Sequence, residues 1–149
     1  MAPVSNKGGN SRDKGKRHSN PYDSVYKLIR QFFNFCQAED ESCDKFLKLF
    51  LDLSSSLKLS GIDVTTHSHL TYMECKKLIK ADPNKSKTLA KKEADSSSSE
   101  ALTSMDFLSS SDYNRFGSLI TDLRQDVLKR NNNYPKTVTS AYDMLTCFE

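Results

Sequence analysis

Two amphipathic helix patterns occupy the last quarter of the chain, on either side of the polar segment 131–137. In the first, large apolar residues recur at alternating spacings of three and four, namely Tyr113, Phe116, Ile120, Leu123 and Val127. In the second, the residues that share one side are Val138, Ala141, Leu145 and Phe148. These spacings predict two helices, each with one apolar stripe that has to pack against a partner.

The residues that flank these two patterns favour helix starts and ends. Segment 109–112 is rich in Ser and Asp, which begin helices well, and Thr137 or Thr139 is expected to cap the last helix. The three asparagines 131–133 tolerate the left-handed backbone that ends a helix. We therefore expect the first of the two helices to end at these asparagines.

Two similar patterns occupy the first half of the chain. A helix is predicted from about 22–24 to about Gln37, with Val25, Ile29, Phe32 and Cys36 on one face and Leu28 and Phe35 widening it. A second is predicted from a Ser42 cap to Ser60-Gly61, with the stripe Phe46, Phe50, Leu53 and Leu57. Gly61 can take the left-handed conformation, which allows Ile62 to fold back on the last turn.

The middle of the chain is less apolar. A weaker helix is predicted over 70–81, ended by Asp82-Pro83. Residues 82–103 contain a run of four serines, several lysines and few large apolar residues, which is typical of a flexible linker. The predicted fold is therefore all-α: an N-terminal helical lobe (21–81) and a C-terminal helical hairpin (104–149), joined by this Ser/Lys-rich linker.

Positive charge is concentrated at the amino terminus. The net charge is +3, and residues 1–20 contain five Lys or Arg against one Asp. With three glycines and little to bury, residues 1–20 are predicted to be a disordered basic tail. Its cations are candidates for weak, salt-sensitive contact with RNA or other nucleic acid: Lys7, Arg12, Lys14, Lys16 and Arg17. A solubilising or nuclear-targeting tail is the alternative.

No pattern in the sequence indicates catalysis. The cluster His67, His69 and Cys75 lacks standard zinc-ligand spacing and is interpreted as surface residues, so no metal or other cofactor is predicted. Cys36 and Cys147 are interpreted as small core residues, and 39–41 as a solvated helix entrance. Glycine-rich phosphate loops, G-x-S-x-G and H-E-x-x-H are absent. We therefore predict a protein that is not an enzyme and has no evident small-molecule substrate.

Targeting features are equally sparse. No amino-terminal apolar run resembles a secretory signal, and no stretch approaches the ~20 apolar residues of a membrane span. The four cysteines contain no C-x-x-C pair and are expected to be reduced. The predicted location is the cytoplasm, with the nucleus as the alternative, and no membrane contact is expected.

Two stretches resemble the Gag-like polyprotein of copia-type retrotransposons. The first runs from Gln31-Phe32-Phe33 through Glu41-Ser42-Cys43 to Gly61. It is similar to a helix of that family in which an acidic residue and Glu-Ser come first, an aromatic residue with Leu and then a Phe follow, and a glycine ends the helix. The second, more specific stretch comprises Phe116 to Asp126, then the joint Asn133-Tyr134-Pro135-Lys136 and Ala141-Tyr142-Asp143-Met144-Leu145. Together they cover about half of the chain.

The resemblance implies a capsid-like, all-helical region that self-associates into a particle enclosing the element's RNA. The family usually continues into a C-x2-C-x4-H-x4-C zinc knuckle, which these 149 residues lack, and its amino-terminal part commonly contains tryptophan, which is also absent. The expectation is a copy truncated before the knuckle. The alternative hypothesis is a small helical adaptor that binds a protein partner and has no nucleic-acid role.

Overall fold

The computed structural model describes residues 20–149, and this part of the chain contains six α-helices. In chain order they are α1 (Pro21–Phe33), α2 (Cys43–Leu59), α3 (Ser68–Ala81), α4 (Lys87–Ser109), α5 (Tyr113–Leu128) and α6 (Val138–Phe148). No strand occurs within these residues, so the predicted all-α class is confirmed. Except for Asn20, the predicted tail 1–20 lies outside the described residues, as do its candidate nucleic-acid ligands Lys7, Arg12, Lys14, Lys16 and Arg17.

Most helix starts are the ones that the sequence predicts. The Ser42 side chain accepts a hydrogen bond from the Lys45 N–H at 3.3 Å, and Thr137 accepts one from the Ser140 N–H at 3.1 Å. Asp112 caps α5 through the Asn114 N–H at 3.0 Å. Each oxygen satisfies one of the amide groups that the first turn of a helix leaves free.

Two helices end in a left-handed residue. Gly61 follows α2 with φ 70°, and the Ile62 N–H returns to the Leu57 carbonyl at 3.0 Å, as predicted. The left-handed residue after α5 is Arg130, with φ 67°. The N–H of the next residue, Asn131, donates a hydrogen bond of 2.8 Å to the Asp126 carbonyl in the last turn of α5. The expectation that one of the asparagines takes the left-handed conformation is therefore wrong.

The predicted linker 82–103 is wrong, because most of it belongs to α4, the longest helix. Ser86 caps this helix through the Leu89 N–H at 3.2 Å. The buried face of α4 in this region consists of small residues at successive helical turns, Ala90, Ala94 and Ser98. Small side chains let α3 approach closely, and this packing stabilises a helix that has few large apolar residues.

One aromatic cluster joins the two predicted lobes. Phe107 of α4 stacks on Phe46 of α2, with ring centroids 4.6 Å apart, and meets Phe50 edge-on at 5.1 Å. Phe32 and Phe35 complete the cluster from the amino-terminal side. The same core continues into α5 and α6 through Phe116, Leu123, Ala141 and Leu145. The predicted lobes 21–81 and 104–149 therefore share a single hydrophobic core.

Helix α1 ends at Phe33, four residues earlier than predicted. After Phe33 the backbone turns, and the Gln37 N–H donates a hydrogen bond of 2.8 Å to the Ser110 carbonyl at the α4–α5 junction. Phe35 turns inward onto Phe46. Cys36 consequently leaves the apolar face of α1 and is exposed, as is Cys147, so the prediction that both are core residues is wrong. Cys43 is the buried cysteine.

Candidate self-association surface

The outer face of α1 presents an apolar stripe to solvent. Its members follow helical spacing over the whole helix: Tyr22, Val25, Tyr26, Ile29 and Phe33. Tyr22 is 84% exposed, Tyr26 60% and Phe33 62%. Three aromatic side chains on one helix face amount to far more than the isolated apolar residues that any protein surface shows, and such patches mark interaction sites.

The stripe is exposed because α1 packs on the protein along a different line. Its packed side is formed by Leu28 and Phe32, which reach the core next to α2, and Phe32 is the only buried residue of the helix. Val25 and Ile29 lie at the border between the two lines. The hydrophobic face predicted from the sequence thus covers the packed side, whereas the tyrosines and Phe33 on the other side were missed. Their spacings of four and seven, which are one and two helical turns, were the available signal.

Charges follow one flank of this stripe. Asp23, Lys27 and Arg30 all lie on the same side of it by helical spacing. Lys27 and Asp23 form an exposed ion pair at 2.7 Å. Asp23 is in the first turn and Arg30 in the last, so the flank is negative at its start and positive at its end.

The other candidate residues are not brought together into a site. His67 and His69 are exposed at the start of α3, and Cys75 lies half-buried about two turns further along. Within 20–149, no group of three His, Cys, Asp or Glu side chains is placed to hold a metal ion.

The acidic stretch 39–41 is not simply a solvated helix entrance. Glu41 is buried, and its carboxylate accepts a hydrogen bond from the Ala38 N–H. Its backbone carbonyl accepts from the Gln37 side-chain amide at 2.9 Å and from the Arg115 guanidinium at 2.7 Å. Arg115 also forms an ion pair with Glu149. These contacts identify Glu41 as part of the joint between the α1–α2 loop and α5.

Among residues 20–149, three groups have shifted pKa values, and none of the three lies in a catalytic arrangement. Hydrogen bonds from the Thr66 side chain and from the Thr65 and Thr66 amides lower the pKa of Asp63. Burial raises the pKa of Asp106. A hydrogen bond to Asp44 raises the pKa of Tyr142. Asp63 lies in a turn, Asp106 is half-buried on a helix, and Tyr142 contacts α2 from α6.

Comparison of the chain with protein families, with curated proteins and with solved structures found no match. None of the six helices is long and apolar enough to cross a lipid bilayer.

Proposed function

We propose that this chain is a non-enzymatic, Gag-like, capsid-type protein whose copies associate through the outer face of α1. The single observation that supports the proposal is the exposed stripe of Tyr22, Tyr26 and Phe33. Covering apolar surface is favourable by ~25 cal/mol per Å², and aromatic residues are the side chains most enriched at protein interfaces.

The charges beside the stripe favour a second copy as the occupant. Two copies related by a two-fold axis perpendicular to α1 bring the same surface of each chain together, so the flank with Asp23 and Arg30 meets itself. In such a pair the two α1 helices run antiparallel, which places Asp23 of one copy next to Arg30 of the other at both ends. Flanking charges of this kind set the orientation of paired helices.

The amino-terminal cations complete the proposed function. Lys7, Arg12, Lys14, Lys16 and Arg17 precede α1 in the chain, so association of two α1 helices brings two sets of these cations into one complex. Five charges per copy give weak, salt-dependent affinity for RNA, and pairing raises it by linking two such tails. The resemblance of both halves of the chain to copia-type Gag agrees with this combination of assembly and RNA contact.

Self-association is tested by sedimentation and light scattering over a concentration series. The wild-type chain is expected to shift from monomer to dimer or larger species. The double substitution Tyr26→Ser/Phe33→Ser should abolish the shift. A matched control is Leu59→Ser/Leu128→Ser, which removes two leucines that are also highly exposed but lie outside the stripe. A wild-type chain that stays monomeric at the highest concentration would reject the proposal in favour of the adaptor hypothesis.

The antiparallel arrangement is tested by charge exchange between two copies. Asp23→Arg makes positions 23 and 30 both positive and Arg30→Asp makes them both negative, so each variant alone should associate more weakly than wild type. An equimolar mixture should restore association, because every contact then joins an Arg to an Asp. If the mixture associates no better than either variant, the helices do not pair in this way.

A further inference from the structure

A groove of about 650 Å³ runs between α3 and α4, away from the α1 stripe. On the α3 side it is lined by Tyr72, Cys75 and Ile79, and on the α4 side by Lys87, Lys91 and Asp95. The residues at each wall recur at helical spacing, so the groove follows the direction of both helices.

The groove has a positive rim. Lys87 and Lys91 line the groove one helical turn apart on α4. On α3, Lys76 is not itself a lining residue, but its ammonium lies 4.4 Å from the centre of the ring of Tyr72, which lines the groove. Asp95 is the one acidic residue that lines the groove, and it lies towards the start of α3. The three lysines therefore present a net positive surface over the remaining length.

Nearby acidic side chains do not neutralise these lysines. Glu74 pairs with Lys77 at 3.1 Å, and Glu93 pairs with Lys85. Among residues 20–149, Lys76, Lys87 and Lys91 have no acidic partner within 4.0 Å. The charge concentration is visible in the sequence too, since residues 76–92 contain seven lysines and one aspartate. Acidic residues elsewhere cancel these lysines in the net charge and so conceal them.

Tyr72 gives the groove a second recognition element. Its ring is more than half exposed, at 56%, and lies at the edge of the groove. An exposed aromatic ring beside a row of cations is the combination that holds single-stranded nucleic acid, because bases stack on the ring while phosphates bind the cations. A base inside a duplex cannot reach such a ring.

We propose that the groove between α3 and α4 binds single-stranded nucleic acid, with the backbone phosphates on Lys76, Lys87 and Lys91 and one base stacked on Tyr72. The site is separate from the amino-terminal tail and from the α1 stripe. Binding in the groove requires neither the tail nor the stripe. The groove adds a folded binding surface to a chain whose nucleic-acid contact was otherwise assigned to residues 7–17. Hydroxyl groups of Thr66 and Ser68 extend the polar lining.

The test uses the full chain with the five tail cations replaced by glutamine, so that binding through the tail is removed. A fluorescent single-stranded oligouridine is titrated at several salt concentrations, and fluorescence anisotropy reports the dissociation constant. Lys76→Gln/Lys87→Gln/Lys91→Gln is expected to weaken binding about tenfold or more at low salt. The slope of log affinity against log salt should fall by about 2, since each phosphate contact on a single strand contributes roughly 0.7.

The matched control is Lys48→Gln/Lys58→Gln/Lys129→Gln. It removes the same charge from exposed lysines that lie outside the groove, so it should leave most of the affinity in place. Tyr72→Ala should weaken binding about fivefold or more without changing the salt slope, as expected for a lost stacking contact. Circular dichroism of each variant verifies that the helices are retained.

Three outcomes would overturn the proposal: equal losses in the groove and control triple variants, a Tyr72→Ala variant that binds as tightly as its parent, or competition by an oligoglutamate peptide as effective as that by unlabelled RNA. The last would identify the groove as a binding site for acidic peptides. Repeating the titration in the Tyr26→Ser/Phe33→Ser background separates this inference from self-association, because loss of assembly should leave binding in the groove intact.

Discussion

The side-chain carbonyl of Gln37 accepts a hydrogen bond of 3.1 Å from the backbone N–H of Asp112, a residue 75 positions away in the chain. The amide group of the same side chain donates to the Glu41 carbonyl at 2.9 Å. Both bonds are buried. One glutamine thereby ties the loop after α1 to the first residues of α5 and sets how the two halves of the molecule meet.

Gln37→Ala is expected to destabilise the fold by about 2 kcal/mol. It leaves the buried Asp112 amide without its partner, a loss that costs about 1–3 kcal/mol, while the Glu41 carbonyl keeps its hydrogen bond from Arg115. Chemical denaturation followed by circular dichroism measures the change. Gln31→Ala on the exposed side of α1 is the control and should be near neutral. Equal effects of the two substitutions would show that the joint contributes nothing to stability.

Phe107→Ala should cost about 3–5 kcal/mol, the usual range for a fully buried phenylalanine. Because Phe107 packs on both Phe46 and Phe50, the loss should destabilise both halves of the chain together. Unfolding is expected to remain one transition by circular dichroism and by tyrosine fluorescence. Leu89→Ala, on an exposed face of the same helix, should have a small effect. Two separated transitions in the wild-type chain would contradict the shared core.

Gly61→Ala and Arg130→Gly should change stability in opposite directions. Both positions have a left-handed backbone, which costs a residue with a Cβ about 1–2 kcal/mol. Added bulk is not the issue at Gly61, where a Cβ would meet nothing within 4 Å. We therefore expect Gly61→Ala to lower the melting temperature and Arg130→Gly to raise it slightly. A lower melting temperature for Arg130→Gly would show that the arginine side chain has stabilising contacts.

Asp106→Asn should stabilise the protein at neutral pH and lose this advantage in acid. Burial raises the pKa of Asp106, so folding favours its protonated form. The stability that this preference contributes is fully present below the ordinary Asp pKa of about 3.9 and is lost as the pH rises through the higher pKa of the folded state. Thermal unfolding of both proteins across this pH range measures the difference. A constant difference at every pH would contradict the expectation.

The helix boundaries that sequence reasoning predicted correctly depend on local chemistry. Ser42, Asp112 and Thr137 are caps because their side-chain oxygens reach amides two or three residues ahead, and Gly61 ends α2 because glycine tolerates a positive φ. The core positions Phe46, Phe50, Phe116 and Leu145 were also correct, since large apolar residues at helical spacing have few alternatives to burial.

The candidate surfaces were harder to predict because each depends on contacts between distant segments. Tyr22, Tyr26 and Phe33 repeat at helical spacing just as the packed residues Leu28 and Phe32 do, and only the position of α2 decides which set is covered. Likewise, lysines on two helices form a groove only once α3 and α4 lie side by side. Hydrophobicity and charge indicate whether a residue favours burial or solvent, but they do not indicate which distant residues it contacts.

By itself, the amino-acid sequence determined the helical class, most of the caps and the residues that have to be buried, because these follow from interactions within a few positions of the chain. Tertiary structure alone decided that 87–109 is one long helix and that the two halves share a core. Ala90, Ala94 and Ser98 are too small to mark a buried stripe by hydrophobicity, yet their size is what allows α3 to pack closely on α4. The stability of α4 comes from its packing against α3, and the sequence of α4 alone does not contain that information.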